Sequence, residues 1–403
     1  MLKPARGRRI RVTTTTAPPV DGNAFRRNVC RPVVGSKDFD AGAGSAMHPA
    51  RAIVLAPRRG RRIFGDHHAG RPFFRIRQRL TPLLVAPDVW RITTPLPFRP
   101  RSVHAYLVRL GADRCMLVDG GLGTDDAWAA LDAGVREAAG GWNAVCLHFV
   151  THMHMDHLGL TARARTAAPA AVVMGELDAS RMTSAAADPE GEAAYRADLL
   201  RRAGAPAEMR AGVQQVAERT APLAPAFEVQ LPLRGEGGTV PGATGWEWIW
   251  TPGHTAGHVS LIRSEDRVVI AGDAVLPRIT PTLGVNRQRA DPVGDYLAAL
   301  DRLRAATPSL ILPGHGDPVG AERITELRAA AEAEGEAVLA ALGAGPSTPW
   351  QTVERRYAGR DFAVSTHMLA LRETRAHLDR LAAAGRVTRE PGDDGADLFT
   401  PAA

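Results

Sequence analysis

From about residue 85 the chain alternates short apolar runs with turns that contain proline or glycine. The segments "LLVAPDVWRITTP", "SVHAYLVRL", "RCMLVDGG" and "AVCLHFV" are typical of β-strands. "TDDAWAALDAGVREAAG" has helical spacing instead, with aspartates near its start and glycine after its end. Further strands are predicted at "AAVVMG", "GWEWIWTPGH", "HVSLIRS", "RVVIAGD" and "SLILPGHG". These strands lie on both sides of an alanine-rich helical segment at about 176–220, so the pattern predicts a layered α/β fold with a helical insertion.

After residue 320 the strand pattern stops. "GAERITELRAAAEAEGEAVLAAL" predicts a helix, "STPWQTVERRYAG" begins with a Ser/Thr-Pro helix start, and "HMLALRETRAHLDRLAAAGRVTRE" predicts a longer helix that ends at Gly385. A short strand, the turn "PGDDGAD" and "LFTP" follow. Helices followed by a two-stranded hairpin are the outline of a winged helix. The chain is therefore divided into an extension (1–83), a catalytic domain (84–320) and a winged-helix-like C-terminal domain (321–403).

The positive charge is confined to the N-terminal fifth of the chain. The net charge is +7, but residues 1–80 hold 18 Lys and Arg against 4 Asp and Glu, which leaves 32 basic and 39 acidic groups for the rest. The extension shows no sustained period and mixes arginine with Thr, Pro and Gly. It is interpreted as a disordered extension, or as translation from a start upstream of Met47, in preference to a nucleic-acid-binding arm or a targeting segment. The acidic remainder does not favour polyanions.

Several classes of protein are disfavoured by composition. No apolar run approaches the roughly 20 residues of a membrane span, and the N-terminus lacks the apolar core of a secretory signal. The three cysteines, Cys30, Cys115 and Cys146, have neither zinc-type nor disulfide-type spacing. A cytoplasmic protein without membrane partners is expected, and any metal must be held by histidine and carboxylate.

The stretch "VTHMHMDHLGL" places three histidines and an aspartate within six positions directly after an apolar run. Buried imidazoles need partners for their nitrogens, and a metal ion supplies them. His152 and His154 alternate by two, so an extended segment points both to one side, and Asp156 and His157 follow where the chain turns. A solvated turn that carries histidines by chance is the alternative.

Three later strand ends carry the same residue types. They are His254 in "TPGHTAGH", Asp273 in "IAGDAVLP" and His315 in "LPGHGDP". Five histidines and two aspartates, each in a turn after an apolar run, favour a metal site over chance. Imidazole and carboxylate without thiolate suit zinc, and also iron or manganese.

Over about residues 85–320 the chain resembles the metallo-β-lactamase-fold hydrolases, because the family motif HxHxDH is complete at residues 152–157 and the later motifs match at 254, 273 and 315. The resemblance implies an αββα sandwich with two metal ions at one edge of the sheets. It implies that His152, His154 and His254 hold one metal, that Asp156, His157 and His315 hold the other, and that Asp273 bridges them. "DGGLGTDD", around Asp119, resembles a family loop that supports the site.

The resemblance also narrows the classes of reaction that are expected. A carboxylate at 273, where many true β-lactamases of the family carry cysteine, points to the glyoxalase-II-like, lactonase-like and nuclease-like branches. The expected function is a dinuclear hydrolase in which a metal-bound hydroxide, oriented by Asp156, attacks a thioester, lactone or ester. The alternative is a metal-dependent endoribonuclease or phosphodiesterase, because similar tails occur in a subgroup that includes a mitochondrial endoribonuclease. A non-catalytic regulatory or binding protein is a third interpretation.

Two features of the sequence, His258 and the C-terminal domain, are each consistent with two interpretations. His258 is either a hydrogen-bonding partner behind the ligands or a substrate contact. The C-terminal domain either contacts nucleic acid through Arg372, Arg375, Arg380 and Arg386, or packs as a cap that shapes the pocket or mediates a homodimer. The cap is favoured because Glu373 and Asp379 lie between these arginines.

Overall fold

The computed structural model describes residues 81–402. The basic extension predicted for residues 1–83 lies outside the described residues except for its last three positions, and the first strand begins at Leu83.

Two mixed sheets form the central layers of the described chain. The first has seven strands in chain order: Leu83–Ala86 (β1), Val89–Pro95 (β2), Ser102–Gly111 (β3), Arg114–Val118 (β4), Val145–Val150 (β5), Ala171–Gly175 (β6) and Leu231–Leu233 (β7). The second comprises Gly237–Thr239 (β8), Trp246–Trp250 (β9), Val259–Arg263 (β10), Val268–Gly272 (β11) and Leu310–Pro313 (β12), in the order β12-β11-β10-β9-β8. Pairing is parallel from β4 to β7 and between β11 and β12, and antiparallel elsewhere.

The apolar residues of the predicted strands meet between the two sheets. Phe149 of β5 and Tyr106 of β3 are buried from one side, and Trp248 of β9 and Ile270 of β11 from the other. Each strand turns alternate side chains to this layer, which explains its hydrophobic alternation. The layer is one continuous core.

Helices cover both outer faces. The α-helices of the described chain are Asp125–Ala139 (α1), Met155–Leu158 (α2), Thr161–Ala167 (α3), Glu176–Ala187 (α4), Pro189–Arg202 (α5), Ala207–Thr220 (α6), Pro292–Ala305 (α7), Glu322–Leu342 (α8), Pro349–Arg356 (α9) and Val364–Ala383 (α10). Leu131 of α1 is buried against the first sheet, and Leu300 of α7 against the second. The result is the αββα sandwich that the resemblance implies. No helix between residues 81 and 402 combines the length and the apolar character that a membrane crossing requires.

The insertion helices pack on the C-terminal domain. Leu200 of α5 and Val213 of α6 share a buried cluster with Val353 of α9 and Leu371 of α10. After α10 the chain forms a two-stranded antiparallel hairpin, Val387–Pro391 (β13) and Asp397–Pro401 (β14). Helices followed by this hairpin are the element order that the sequence predicts.

Candidate metal centre

The candidate ligands come from strand ends that meet at one edge of the sandwich. Residues 151–157 follow β5, Asp273 follows β11, and His315 lies two residues after β12. Backbone hydrogen bonds fasten these ends together. Gly314 N donates to Gly272 O at 2.7 Å, and Val259 N donates to Thr151 O at 2.9 Å. Main-chain hydrogen bonds therefore hold the strand ends together where the candidate ligands project.

Three histidines form the first group, which we call the three-histidine cluster. His152 Nε2 lies 3.1 Å from His154 Nδ1, and His154 Nδ1 lies 2.8 Å from His254 Nε2. Three imidazole nitrogens that converge in this way offer three ligand positions to a single cation.

Asp156, His157 and His315 form the second group, the Asp-His-His cluster. His315 Nε2 lies 3.3 Å from Asp156 Oδ2. Asp273 lies between the two clusters. One of its carboxylate oxygens is 3.4 Å from His157 Nε2, and the other is 3.5 Å from His254 Nε2 and 3.6 Å from His315 Nε2. The structure thus brings all seven predicted ligand residues together, and Asp273 contacts histidines of both clusters.

Asp119 orients two of the histidines. Its Oδ2 accepts from His157 Nδ1 at 2.8 Å and from Thr151 Oγ1 at 2.8 Å, and its Oδ1 accepts from Thr151 N at 2.8 Å. Because the Thr151 hydroxyl proton is directed to Asp119, its oxygen accepts from His152 Nδ1 at 3.0 Å. Protons on Nδ1 leave Nε2 of both rings free to face the clusters. Asp119 adopts a left-handed backbone conformation, with φ of 58°.

Backbone carbonyls orient two more histidines. His254 Nδ1 donates to Thr282 O at 3.0 Å, and His315 Nδ1 donates to Ser102 O at 2.7 Å. Their Nε2 atoms are thereby directed to the clusters, whereas His154 presents Nδ1. The hydrogen-bond network thus makes Nε2 the facing nitrogen of four histidines: His152, His157, His254 and His315.

The electrostatics of the site favour neutral rings at His152 and His154 and an ionised carboxyl at Asp156, whereas His157 tends to keep its proton. Burial and the nearby His157 lower the pKa of His152 well below its ordinary value, and burial and His254 lower the pKa of His154 to about 3. Both rings are therefore neutral ligands. Burial opposes ionisation of Asp156, but His157 and His315 outweigh it and lower the pKa of this carboxyl to about 2. Burial also opposes protonation of His157, yet Asp273 and Asp119 raise its pKa.

Two buried atoms of the site have no hydrogen-bond partner among the described residues. They are His157 Nε2 and Asp273 Oδ1, which lie 3.4 Å apart as an ion pair but do not form a hydrogen bond. A buried polar atom without a partner is costly, and both atoms point between residues of metal-ligating type. These orphaned atoms and the nitrogen–oxygen donor set fit divalent metal ions.

His258 lies behind the ligands. Its ring is fully buried, and Nε2 accepts from the backbone N–H of Asp273 at 3.1 Å while Nδ1 donates to Thr251 Oγ1 at 2.7 Å. The Thr251 hydroxyl continues to Ser260 Oγ at 2.9 Å. His258 therefore fixes the main chain at Asp273.

Sequence reasoning missed Asp178, which begins the insertion. Its carboxylate accepts from Met153 N at 2.9 Å, Thr255 Oγ1 at 2.6 Å and Gly257 N at 2.7 Å. It joins the loop of His152 and His154 to the loop of His254. Burial raises the pKa of this carboxyl to about 6. No local motif marks it, because its partners come together only in the folded chain.

Comparison with known proteins agrees with this geometry. The sequence pattern of the metallo-beta-lactamase superfamily matches residues 98–315. The chain is 27% identical over 312 residues to the probable metallo-hydrolase YqjP of Bacillus subtilis, covering 75% of this chain and 94% of that protein. The crystal structure of the metallo-beta-lactamase family protein TTHA1429 from Thermus thermophilus is similar, with a TM-score of 0.67 and 31% identity over 79% of this chain and 99% of that one.

A beta-lactamase domain protein from Burkholderia ambifaria has a TM-score of 0.64 and 28% identity, over 79% of this chain and 92% of that one. These alignments extend beyond the sandwich that carries the ligands. The converging histidines and aspartates, the αββα layers and the matched sequence pattern lead to one conclusion: the chain is a metallo-hydrolase that belongs to the metallo-beta-lactamase superfamily.

Proposed function

We propose that this enzyme uses two divalent metal ions, zinc in the first place, to hydrolyse a small acyl substrate: a thioester, lactone or ester. Two ligand clusters with Asp273 between them support the number of ions. Nitrogen and carboxylate donors suit zinc, and also iron or manganese. When bound, such ions activate a water molecule and polarise the bond under attack.

The protein's own groups orient and neutralise the reactants. Asp156 is ionised, and its side chain keeps 16% of its surface exposed, so it can accept a hydrogen bond from the attacking water while it serves as a ligand. His315 contacts Asp156 and holds its Nδ1 proton on Ser102 O. Asp156 is therefore proposed as the residue that links metal binding to turnover.

We prefer an acyl substrate to RNA because the arginines of the C-terminal domain already have partners within the protein. Arg375 pairs with Asp379 and Asp397, Arg380 with Asp291, and Arg386 with Glu336. The Arg372 guanidinium donates to Val285 O at 2.8 Å. Arginines that are bonded within the protein are poor phosphate ligands, because a phosphate must displace their partners.

The same contacts support a cap. The packing of α5 and α6 on α9 and α10 forms one helical layer from the insertion and the C-terminal domain. Such a layer beside a metal edge suits a bounded pocket for a small molecule rather than an open groove for a polymer. We also propose that this helical layer mediates a homodimer.

A substrate panel tests the proposal. Metal-loaded protein is offered thioesters, lactones and esters in one set and labelled single-stranded RNA in the other, with His152→Ala as the control. Metal-dependent turnover of an acyl substrate that His152→Ala abolishes is the expected result. RNA cleavage that is lost in the same variant, without acyl turnover, would replace the proposal by the nuclease alternative. A folded protein that binds no metal would favour a regulatory protein.

A further inference from the structure

The chain between β11 and α7, residues 273–291, contributes a contact to the metal centre without being a helix or a strand. Thr282 O accepts the Nδ1 proton of His254 at 3.0 Å. Contacts of this kind fix the tautomer and the ring orientation of a metal ligand. The position of the Thr282 carbonyl depends on what holds the residues that follow it, since no regular structure does.

Helix α10 of the C-terminal domain holds those residues. Leu283 N donates to Glu373 Oε1 at 3.2 Å, and Val285 N donates to Arg372 O at 3.2 Å. The Arg372 guanidinium returns to Val285 O through Nε at 3.2 Å and Nη2 at 2.8 Å. The Leu283 side chain is buried in the core beneath α7 and α8. Residues 283–285 are thus fastened to two consecutive positions of one helix.

Glu373 is a half-buried carboxylic acid on the face of α10 that meets residues 283–285. Burial and the neighbouring Glu334 of α8 raise the pKa of its carboxyl to about 7. Withdrawing a carboxyl group from water, even in part, costs free energy that an apolar side chain of similar size avoids. The contact with Leu283 N gives this group a specific task, since it occupies a backbone donor that faces α10.

We propose that Glu373 and Arg372 are positioning residues for the metal ligand His254, which they align through residues 282–285. The C-terminal domain is on this account part of the metal centre, although it supplies no ligand. The chain of contacts runs from Glu373 Oε1 to Leu283 N, across one peptide to Thr282 O, and from there to His254 Nδ1. The inference rests on the proposed binding of zinc at the three-histidine cluster.

Two substitutions of Glu373 separate the hydrogen bond from the bulk of the side chain. Glu373→Gln keeps an oxygen that can accept from Leu283 N, whereas Glu373→Leu keeps similar volume and removes the acceptor. Stepwise zinc dissociation constants, measured by competition with a chelator, are expected to rise by about 10- to 100-fold at the three-histidine cluster in Glu373→Leu. Glu373→Gln is expected to stay near the wild type, which is a rescue that bulk alone does not explain.

Two further readouts keep the test decisive if Glu373→Leu folds poorly. Arg372→Met removes the guanidinium contacts with Val285 O and should weaken zinc binding in the same direction. Nitrogen-15 NMR of the metal-free protein reports the tautomer of His254, and loss of the fixed Nδ1 proton is expected in the weakened variants. Arg380→Ala is the matched control, because Arg380 pairs α10 with Asp291 and makes no contact with residues 282–285. Its zinc constants should equal those of the wild type.

The possible results have separate meanings. Wild-type zinc constants and an unchanged His254 tautomer in Glu373→Leu and Arg372→Met would overturn the inference and leave the proposed function intact. Equal weakening in Glu373→Gln and Glu373→Leu would also overturn it, because the acceptor oxygen would then be irrelevant. A folded wild-type protein that binds none of zinc, iron and manganese would instead remove the proposed function on which the inference rests.

Discussion

Asp119 accepts hydrogen bonds from three donors beside the metal centre: His157 Nδ1, Thr151 Oγ1 and Thr151 N. A carboxylate satisfies all three because both of its oxygens are acceptors only. An asparagine in the same place offers one acceptor oxygen and turns a donor group towards another donor. The tautomers of His157 and His152 therefore depend on the charge of Asp119 as well as on its shape.

Asp119→Asn should weaken metal binding by about 10- to 100-fold, which is typical when a group that orients a ligand is lost. The effect should fall mainly on the Asp-His-His cluster, because His157 loses its partner directly. Metal dissociation constants measured by competition with a chelator check this. Asp125→Asn is a suitable control, because Asp125 pairs with Arg163 at an exposed site. Equal constants for the two variants would contradict this role of Asp119.

Asp156→Asn should separate metal binding from the chemistry. It keeps the size of the side chain and removes the charge that accepts from the attacking water. We expect weaker metal binding at the Asp-His-His cluster and at least a roughly 10²-fold lower turnover at metal saturation. The fold should persist, because the short helix α2, which carries Asp156, follows the intact strand β5. Near-normal turnover of the saturated variant would show that Asp156 does not orient the nucleophile.

At the residue scale, the sequence does not predict the role of a residue whose partners are brought together only by tertiary contacts. The seven candidate ligands could be selected from the sequence because each follows an apolar run in a motif of fixed spacing, and the structure brings them together. The role of Asp178 was not readable, because its three partners lie 25 to 79 positions away in the chain. The carbonyl groups of Thr282 and Ser102 carry no side-chain signal at all.

At the scale of elements, helix α10 carries Glu373, whose protonation can be tested directly. The pKa of Glu373 is about 7, above its ordinary value of 4.5, because the group is partly withdrawn from water and lies near Glu334 of α8. The hydrogen bond from Leu283 N and the charge of Arg356 of α9 act in the opposite direction. An acid with a raised pKa in the folded state keeps its proton where the unfolded chain has lost it. Stability from this group is therefore present below about pH 4.5 and lost as pH rises towards 7.

Glu373→Gln should remove this pH dependence. Between pH 4.5 and 7 the free energy of unfolding of the wild type should fall relative to that of the variant. The difference should change by an amount on the order of 1–3 kcal/mol in favour of the variant. Urea unfolding of the metal-free proteins at several pH values measures the difference. Glu336→Gln is the control, because Glu336 is an exposed residue of α8 whose pKa is lowered by Arg386. A difference that stays constant with pH would show that Glu373 titrates normally.

The elements themselves were predicted unevenly. Strands such as β5 and β11 and helices such as α1 carry clear periodicity and terminal signals, and they are found where the pattern places them. Helix α7 was not among the predicted elements, although Asp291 caps its start and Pro292 begins it. The short strands β7 and β8, three residues each, are too brief to show a period. Their strand state depends on pairing with β6 and β9.

At the scale of the whole molecule, the sandwich supplies the ligands and the helical layer supports them from the side. The insertion contributes Asp178, which joins two ligand loops, and the C-terminal domain contributes α10, which holds residues 283–285. The layered architecture followed from the alternation of strands and helices. The mutual packing of insertion and C-terminal domain did not, because their apolar faces give no indication of which partner they meet.

Zinc titration of the metal-free protein tests the central claim most directly. Calorimetry on the full-length protein should give two zinc ions per chain, with binding that His152→Ala and Asp156→Asn reduce at different clusters. Bound zinc should also raise the midpoint of thermal unfolding, since a ligand that binds only the folded state stabilises it. A protein that is fully folded and takes up no zinc, iron or manganese would contradict the account at its foundation.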